Sequence, residues 1–514
     1  MTETQDRESG TAEPSLSLGR RVLAGVGWTF VSAVCVRLLQ FLVTVALARL
    51  LLPGEFGLFA LGTIVIAAIT LLRDLGFGQA LIYYKSQVQR DAETTFAMSG
   101  LFGLASWLAI YAASPVIADI FRNHALIWPL RVMSCSVAIS SLGVVPSVLM
   151  EKELEFRKRA MPEFAMGLSY AAVSILLALH HMGVWSLVAG HIASAAAFVA
   201  VAWAVSGWRP ALSFHVESAR RILGYGRPLI AASILLFAFF YIDNAAIGRW
   251  LGVTALGYYA LAFNVCNIPA TNITHVVNRV MYPTYSKLND DIPAVKEAYL
   301  RTIKSIAMLS FPIGLWICLF SEDFVGAFFG HRWLPAAPLF RVLAFYGIAR
   351  SIGSTAGSVF MATGQPKWLF RLGTLQLALV LPFVYPVVAH YGAYGIAVLF
   401  TAAYIINNSL WLLKVAGILG VTMRELAAAL RYPLTATAAA VGASAAVVRL
   451  ALPHGPAAAV GSAVFALTAY PLLVLVLDED TRRLARFVLR PTPGQVYDGL
   501  SPGKGSTEWP AADR

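Results

Sequence analysis

Three arginines stand inside stretches that are otherwise apolar: Arg37, Arg279 and Arg350. A guanidinium at membrane depth costs at least ~2.5 kcal/mol unless water or an anion receives it. These positions therefore point to the binding of an anionic group in a wet cavity, and not to bond-making chemistry. Side chains able to hydrogen bond neutral polar groups lie near them. Gln40 and Thr44 share the helical face of Arg37, at i+3 and i+7. Asn264, Asn267, Thr271, His275, Asn278 and Tyr282 follow at spacings of three or four, with Arg279 beside the lower end. On one continuous helix kinked at Pro269, that stripe would face away from lipid. Tyr346, Arg350, Ser354 and Ser358 repeat at i+4, while Gly353 and Gly357 permit close approach of a neighbouring helix. Arg49 and Arg249 sit at the outer ends of two equivalent segments, where they either meet a ligand or snorkel to headgroups.

Asp243 is the one acidic residue well inside an apolar segment. It suits two roles: a site for a coupling proton or cation, or the counter-ion of an intramembrane arginine, with Arg37 and Arg249 as candidates. The sequence carries no Gly-rich loop of the ATP-binding type, so transport of any ligand would draw on an ion gradient or on the ligand's own gradient. Cofactor and metal motifs are likewise absent: Cys35, Cys135, Cys266 and Cys318 lie singly in apolar segments, and His191 and His275 have no ligand partners in the sequence.

The elements that must position these residues are membrane helices. Hydrophobic residues make up 58% of the chain and charged residues 13%, with mean hydropathy +0.69; soluble domains carry about 25% charge. A spanning helix needs about 20 apolar residues. Spans are expected at 22–50, 56–73, 92–113, 127–149, 162–180, 184–206, 226–249, 255–284, 302–320, 336–362, 367–388, 393–413, 428–449 and 457–477. The fold class is thus an all-α polytopic membrane protein of fourteen helices, grouped six, six and two. A barrel would need alternating segments of ~10 residues, and none occur. The polar residues 1–18 form a cytoplasmic tail, so the first span acts as a retained signal anchor. Residues 19–206 and 207–421 are two six-helix lobes, 422–480 a helix pair, and 481–514 a second tail.

The lobes are copies of one another. Ala46, Arg49, Leu51, Gly57, Ala60 and Leu61 recur as Ala246, Arg249, Leu251, Gly257, Ala260 and Leu261, and Arg131-Val132 recurs as Arg341-Val342. Ser147-Val148-Leu149-Met150 returns as Ser358-Val359-Phe360-Met361. Duplicated halves with a site between them are a usual construction of secondary transporters. The net charge of +12 has a positional meaning here, which argues against a nucleic-acid partner. The tails and alternate loops hold 28 Lys and Arg, against five (Arg49, Arg122, Arg249, Arg332 and Arg449) on the other face. Both termini are then cytoplasmic, and an even number of spans per lobe makes the repeats parallel.

Several motifs carry a family resemblance. Arg49 with the run to Leu61, Asp74-Leu-Gly-Phe-Gly-Gln79, Glu151-Lys-Glu-Leu-Glu-Phe156, Asn278-Arg-Val-Met-Tyr-Pro283, Phe329-Gly-His-Arg-Trp333 and Arg350-Ser-Ile-Gly353 are the residues concerned. Over residues 20–415 the chain resembles the polysaccharide transporter (Wzx-type flippase) family of the multidrug/oligosaccharidyl-lipid/polysaccharide exporter superfamily, and most of all its colanic-acid and related exopolysaccharide exporters. The resemblance implies a V-shaped bundle that moves an undecaprenyl-diphosphate-linked oligosaccharide across the bacterial inner membrane by alternating access. It also implies membrane lipid contacts, proton or sodium coupling, and a polysaccharide polymerase and chain-length regulator as partners. Arg37, Arg279, Arg350, Arg49 and Arg249 would meet the diphosphate; Gln40, Asn264, Asn267, Thr271, His275, Asn278, Tyr346 and Ser354 would line the cavity. A drug exporter of the superfamily should hold several membrane carboxylates, and arginine dominates instead. A glycosyltransferase or polymerase would need a catalytic cluster in a sizeable external loop, and the longest such loop is 331–335 with its flanks. A lipid II flippase is the nearest rival, with similar fold and site charge.

Overall fold

A computed structural model of the chain describes residues 39–73, 78, 81, 88–153, 155–211, 213–268, 270–271, 274–451 and 456–477. Among these residues the secondary structure is helical, with no strand. In chain order the helices are α1 (Leu39–Leu50), α2 (Pro53–Arg73), α3 (Val88–Ile120), α4 (Ile127–Ser141), α5 (Val144–Lys152), α6 (Phe156–Leu179), α7 (Val184–Ser206) and α8 (Val216–Trp250). They continue as α9 (Val253–Cys266), α10 (Thr274–Lys287), α11 (Ile292–Leu319), α12 (Ser321–Phe328), α13 (Ala337–Ala362), α14 (Lys367–Leu419), α15 (Met423–Ala451) and α16 (Pro456–Leu477).

Local sequence sets several of these boundaries. Pro53 opens α2, where its missing N–H is no loss, and the Glu55 carboxylate accepts the Leu52 N–H at 2.7 Å. Thr422 and Glu425 form a reciprocal capping box at α15: Glu425 accepts from the Thr422 N–H at 2.8 Å, and Thr422 Oγ1 from the Glu425 N–H at 3.3 Å. Gly392, at φ 61°, interrupts the 53 residues of α14. Unbroken, that helix would be about 80 Å long, far beyond a ~30 Å hydrocarbon core. It is therefore a hairpin of two crossings.

Six helices among the described residues are long and apolar enough to cross a membrane, and seven if the bent pair around α4 and α5 counts as one. The chain is an all-α, multi-pass membrane protein. Two of the expected spans depart from a single regular helix. The span expected at 127–149 bends by 42° between α4 and α5, where Gly143 precedes Val144. In the span expected at 255–284, α9 ends at Cys266 with Asn267 as its C-cap and α10 begins at Thr274; between them Ile268 is helical, Ala270 and Thr271 lie in a π-helical turn, and the Thr271 N–H donates to the Asn267 carbonyl at 2.9 Å. Pro269 follows that end and has no N–H to continue the ladder. Of the stripe from Asn264 to Tyr282, the side chains of His275, Asn278 and Arg279 lie outside the described residues. Asn264 is exposed while Asn267 is buried.

The duplication is visible in the packing. Arg131 Nε donates to Ser114 Oγ at 2.8 Å, and its equivalent Arg341 donates to Ser321 Oγ at 2.8 Å. The two copies meet where α2 crosses α9 at Gly57 and Gly257. A methyl on Gly57 would stand 1.7 Å from the Val253 carbonyl oxygen, and one on Gly257 1.9 Å from the equivalent Pro53 oxygen. Only glycine lets two backbones approach so closely. Trp333, fully buried, donates from Nε1 to the Ala48 carbonyl at 2.7 Å and packs edge-on against Phe56 at 5.1 Å. Residues 331–335, expected as an external loop, form a 3-10 turn (His331–Ala336) that carries this tryptophan inward and leaves His331 exposed.

Candidate functional site

The polar residues of the second repeat converge where α8, α9, α13 and α14 meet. Asp243 on α8 is 1% exposed. Its Oδ2 accepts from the Tyr259 hydroxyl at 2.7 Å, and its Oδ1 accepts from the Asn244 N–H at 2.7 Å and the Asn244 amide at 2.9 Å. Among the described residues no cation lies within ion-pair distance of it; the carboxylate is held by neutral donors alone. From Tyr259 an aromatic line runs to Phe263 at 5.9 Å, to Tyr346 at 5.5 Å, and to Tyr404 at 4.9 Å between ring centroids.

Arg350 closes the cluster. Its guanidinium donates to Asn267 Oδ1 at 3.0 Å and lies 4.8 Å from the centroid of the Phe240 ring. Tyr346 neighbours both Arg350 and Asp243. Arg350 is thus attended by an amide, the Tyr346 hydroxyl and an aromatic face, and among the described residues no carboxylate is paired to it. Hydrogen bonds and cation–π contacts of this kind offset desolvation but leave the charge in place. Such a group attracts an anion. Ser354, one turn further, donates to the Ser351 carbonyl at 2.9 Å.

The other expected site residues are placed as follows. Arg49 is a structural clamp: it is exposed, and its Nε donates to the Phe328 carbonyl at 2.8 Å while Nη2 donates to that of Ala327, capping the C-terminal end of α12. Arg249, its equivalent, is half-buried and its Nη1 has no hydrogen-bond partner. Gln40 lies half-buried on α1, where its carbonyl accepts from Thr44 Oγ1 at 2.8 Å. Thr271 is exposed and turns its hydroxyl to the Asn267 carbonyl at 3.0 Å. Arg37 and the side chains of His275, Asn278 and Arg279 lie outside the described residues; the backbone of the latter three belongs to α10, which packs along α13. His191 is a packing residue, with Ser136 Oγ at 3.1 Å and Phe59 edge-on at 6.1 Å.

Sequence reasoning passed over Tyr259, Tyr404, Phe240 and Phe263. A usable signal existed for the first: a carboxylate inside a span needs a donor, and Tyr259 is a phenol in the next helix. Nearby, α11, α13, α14 and α15 border an open apolar cavity of about 300 Å³ lined by Phe311, Phe345, Ile348, Ile405, Leu412 and Leu430, among others.

Repeated helical halves that cross at equivalent glycines, with a half-buried cation and a buried carboxylate held separately in one half, define a polytopic membrane protein built as secondary transporters are. The chain belongs to the polysaccharide biosynthesis protein family, whose pattern matches residues 46–338. It is 25% identical over 422 residues to the lipopolysaccharide biosynthesis protein WzxC of Escherichia coli, covering 81% of this chain and 86% of that one. It is 26% identical over 357 residues to the teichuronic acid biosynthesis protein TuaB of Bacillus subtilis, covering 69% and 74%. Its fold is similar to that of the lipid II flippase MurJ in an inward closed conformation, with TM-score 0.72 at 13% identity over 90% of this chain and 100% of that one. The Wzx-type resemblance read from the motifs therefore holds.

Proposed function

We propose that the chain flips an undecaprenyl-diphosphate-linked oligosaccharide across the bacterial inner membrane for exopolysaccharide, capsule or O-antigen synthesis. The observation that carries this reading is Arg350, a buried-segment cation whose described partners are neutral, in a member of the polysaccharide biosynthesis family. The diphosphate supplies the missing anion. Bidentate hydrogen bonds from a guanidinium suit its oxygens better than an ammonium does. Asn267, Tyr346 and Tyr404 offer amide, hydroxyl and ring faces to sugar, and the apolar cavity against α15 is of a kind that receives isoprene units. No bond is made or broken.

The finer architecture belongs to the same proposal: fourteen helices in two parallel six-helix lobes plus a pair, both termini cytoplasmic, and transport by alternating access between the lobes. The Gly57–Gly257 crossing, the Arg49 clamp and Trp333 all lie at the end that the Lys and Arg distribution assigns to the outside. On this reading the crossing closes the outer end, as alternating access requires of a state open to the inside. Arg279 and Arg37 extend the cationic lining. Asp243 takes a coupling proton or sodium ion, since among the described residues no cation is paired with it and three neutral donors hold it. A polymerase and a chain-length regulator act on the exported cargo.

The test is replacement of Arg350 in a strain whose capsule or exopolysaccharide depends on this protein. Arg350→Ala should abolish export with the protein still present in the membrane, and Arg350→Lys should restore only part of it. Full export by the alanine variant would remove the basis of the reading.

A further inference from the structure

The hairpin of α14 brings its first and last turns together around one tryptophan. Lys414 Nζ stands 4.0 Å from the centroid of the Trp368 ring, and the Arg371 guanidinium 5.4 Å from the ring centroid of the same tryptophan. Lys367 precedes it and is exposed. The indole is held in place by its own N–H, which donates to Gln365 Oε1 at 3.2 Å. Several cations elsewhere are paired with carboxylates: Lys158 with Glu155, Arg159 with Glu151, Lys296 with Glu425 and Arg301 with Glu297. Among the described residues, Lys367, Arg371 and Lys414 have no such partner.

Two cations attending one aromatic group repel one another, and a ring quadrupole attracts them without cancelling their charge. An anion between them would remove the repulsion. The surroundings identify its source. Phe370 is 56% exposed and Leu413 53%, so the same two turns present large apolar side chains outward. A tryptophan flanked by cations and by exposed apolar groups is the pattern of a helix end at the headgroup level. We propose that Trp368, Arg371, Lys414 and Lys367 form a binding site for the phosphate of an anionic phospholipid in the adjoining leaflet, separate from the cargo site at Arg350. The lipid's glycerol and acyl chains would lie along Phe370 and Leu413.

The experiment is lipid titration of the purified full-length protein followed by native mass spectrometry, with phosphatidylglycerol and phosphatidylcholine as probes. The unaltered protein should prefer phosphatidylglycerol. The Arg371→Gln/Lys414→Gln variant should lose about 30-fold in affinity for it, from two surface charges, while its binding of phosphatidylcholine stays unchanged. Arg371→Lys/Lys414→Arg should keep the preference. Should the double Gln variant fail to purify as a single species, Lys414→Gln alone, with a loss of about 5-fold, decides. Equal phosphatidylglycerol affinity in the Gln variant and the unaltered protein would overturn the proposal. So would undecaprenyl diphosphate outcompeting phosphatidylglycerol at this patch, since that would make it a cargo site.

Discussion

Replacing Gly57 by alanine tests whether the α2–α9 crossing holds the outer end shut. A methyl there would lie 1.7 Å from the Val253 carbonyl oxygen and 2.9 Å from the Gly257 nitrogen. Non-bonded carbon contacts sit near ~3.5 Å, so the helices must part by roughly 1.5–2 Å. Overpacking of that kind costs about 1–3 kcal/mol, which moves a two-state equilibrium by about 5–150-fold. The sign is diagnostic, because Gly→Ala within a helix otherwise stabilises by about 0.8–1.0 kcal/mol. Gly417 supplies the control: a methyl there meets nothing within 4 Å, so Gly417→Ala should be neutral or mildly stabilising. The assay is oxidative cross-linking of Gly54→Cys to Thr254→Cys in a variant without the four native cysteines. A methyl on Gly54 would lie 3.4 Å from Thr254 Oγ1, close to disulfide geometry. Cross-linking should be fast in that background and at least about 5-fold slower with Gly57→Ala added, with export reduced in parallel. Unchanged cross-linking with the alanine in place would refute the crossing as a closure point.

Asp243→Asn should stop transport and remove its dependence on the ion gradient, with folding nearly intact, since an amide still accepts the Tyr259 hydroxyl; transport by this variant with unaltered pH and sodium dependence would exclude coupling there. At the α11–α15 junction, Lys296 lies 2.8 Å from Glu425. The Lys296 hydrogen bond, then the Thr422 backbone and side chain, lower the Glu425 pKa to about 2. A depressed carboxylate pKa stabilises the fold above the unfolded value of 4.5, and that contribution fades as pH falls from 4.5 towards 2. Melting curves should accordingly lose stability across this window, and Glu425→Gln should flatten that part of the profile. Cysteines placed at Arg157 and at His331 should differ in labelling by an impermeant maleimide in intact cells, with only position 331 reacting; labelling at 157 would reverse the assigned orientation.

The fold was legible wherever it depended on composition and period. Runs such as 184–206 became single helices, because an apolar segment of spanning length has no other way to satisfy its backbone in lipid. The repeat was legible too, since Gly57 and Gly257 are fixed by one backbone contact that both copies share. Breaks were harder to place. Pro269 signalled a kink, but whether a proline bends a helix or ends it depends on the neighbours that re-satisfy the freed carbonyls. Spacing also did not encode that Asn267 is buried while Asn264, three residues earlier on the same helix, is exposed. In the site, charge was legible and partnership was not. Arg350 and Asp243 stood out as costly groups, yet Asn267, Tyr259 and Tyr404 reach them through helix packing that spacing along one chain does not encode.

The short helix α9 joins the two halves of the mechanism. Its Gly257 makes the crossing with α2; two residues on, Tyr259 holds Asp243; and at its C-cap Asn267 holds Arg350. Fourteen helical residues extend about 21 Å and behave as a rigid rod over that distance. Parting the crossing by 1.5–2 Å, as a methyl on Gly57 would require, cannot leave both a 2.7 Å and a 3.0 Å hydrogen bond at the other positions of the same rod undisturbed unless α8 and α13 move with it. A ligand that engages Arg350, or an ion that engages Asp243, therefore competes with contacts that tie α9 in its present place. On the proposed function, opening of the crossing and occupancy of the site are coupled through this one element, and the coupling is reciprocal: the Gly57→Ala variant should alter the ion dependence of transport as well as the closure of the crossing.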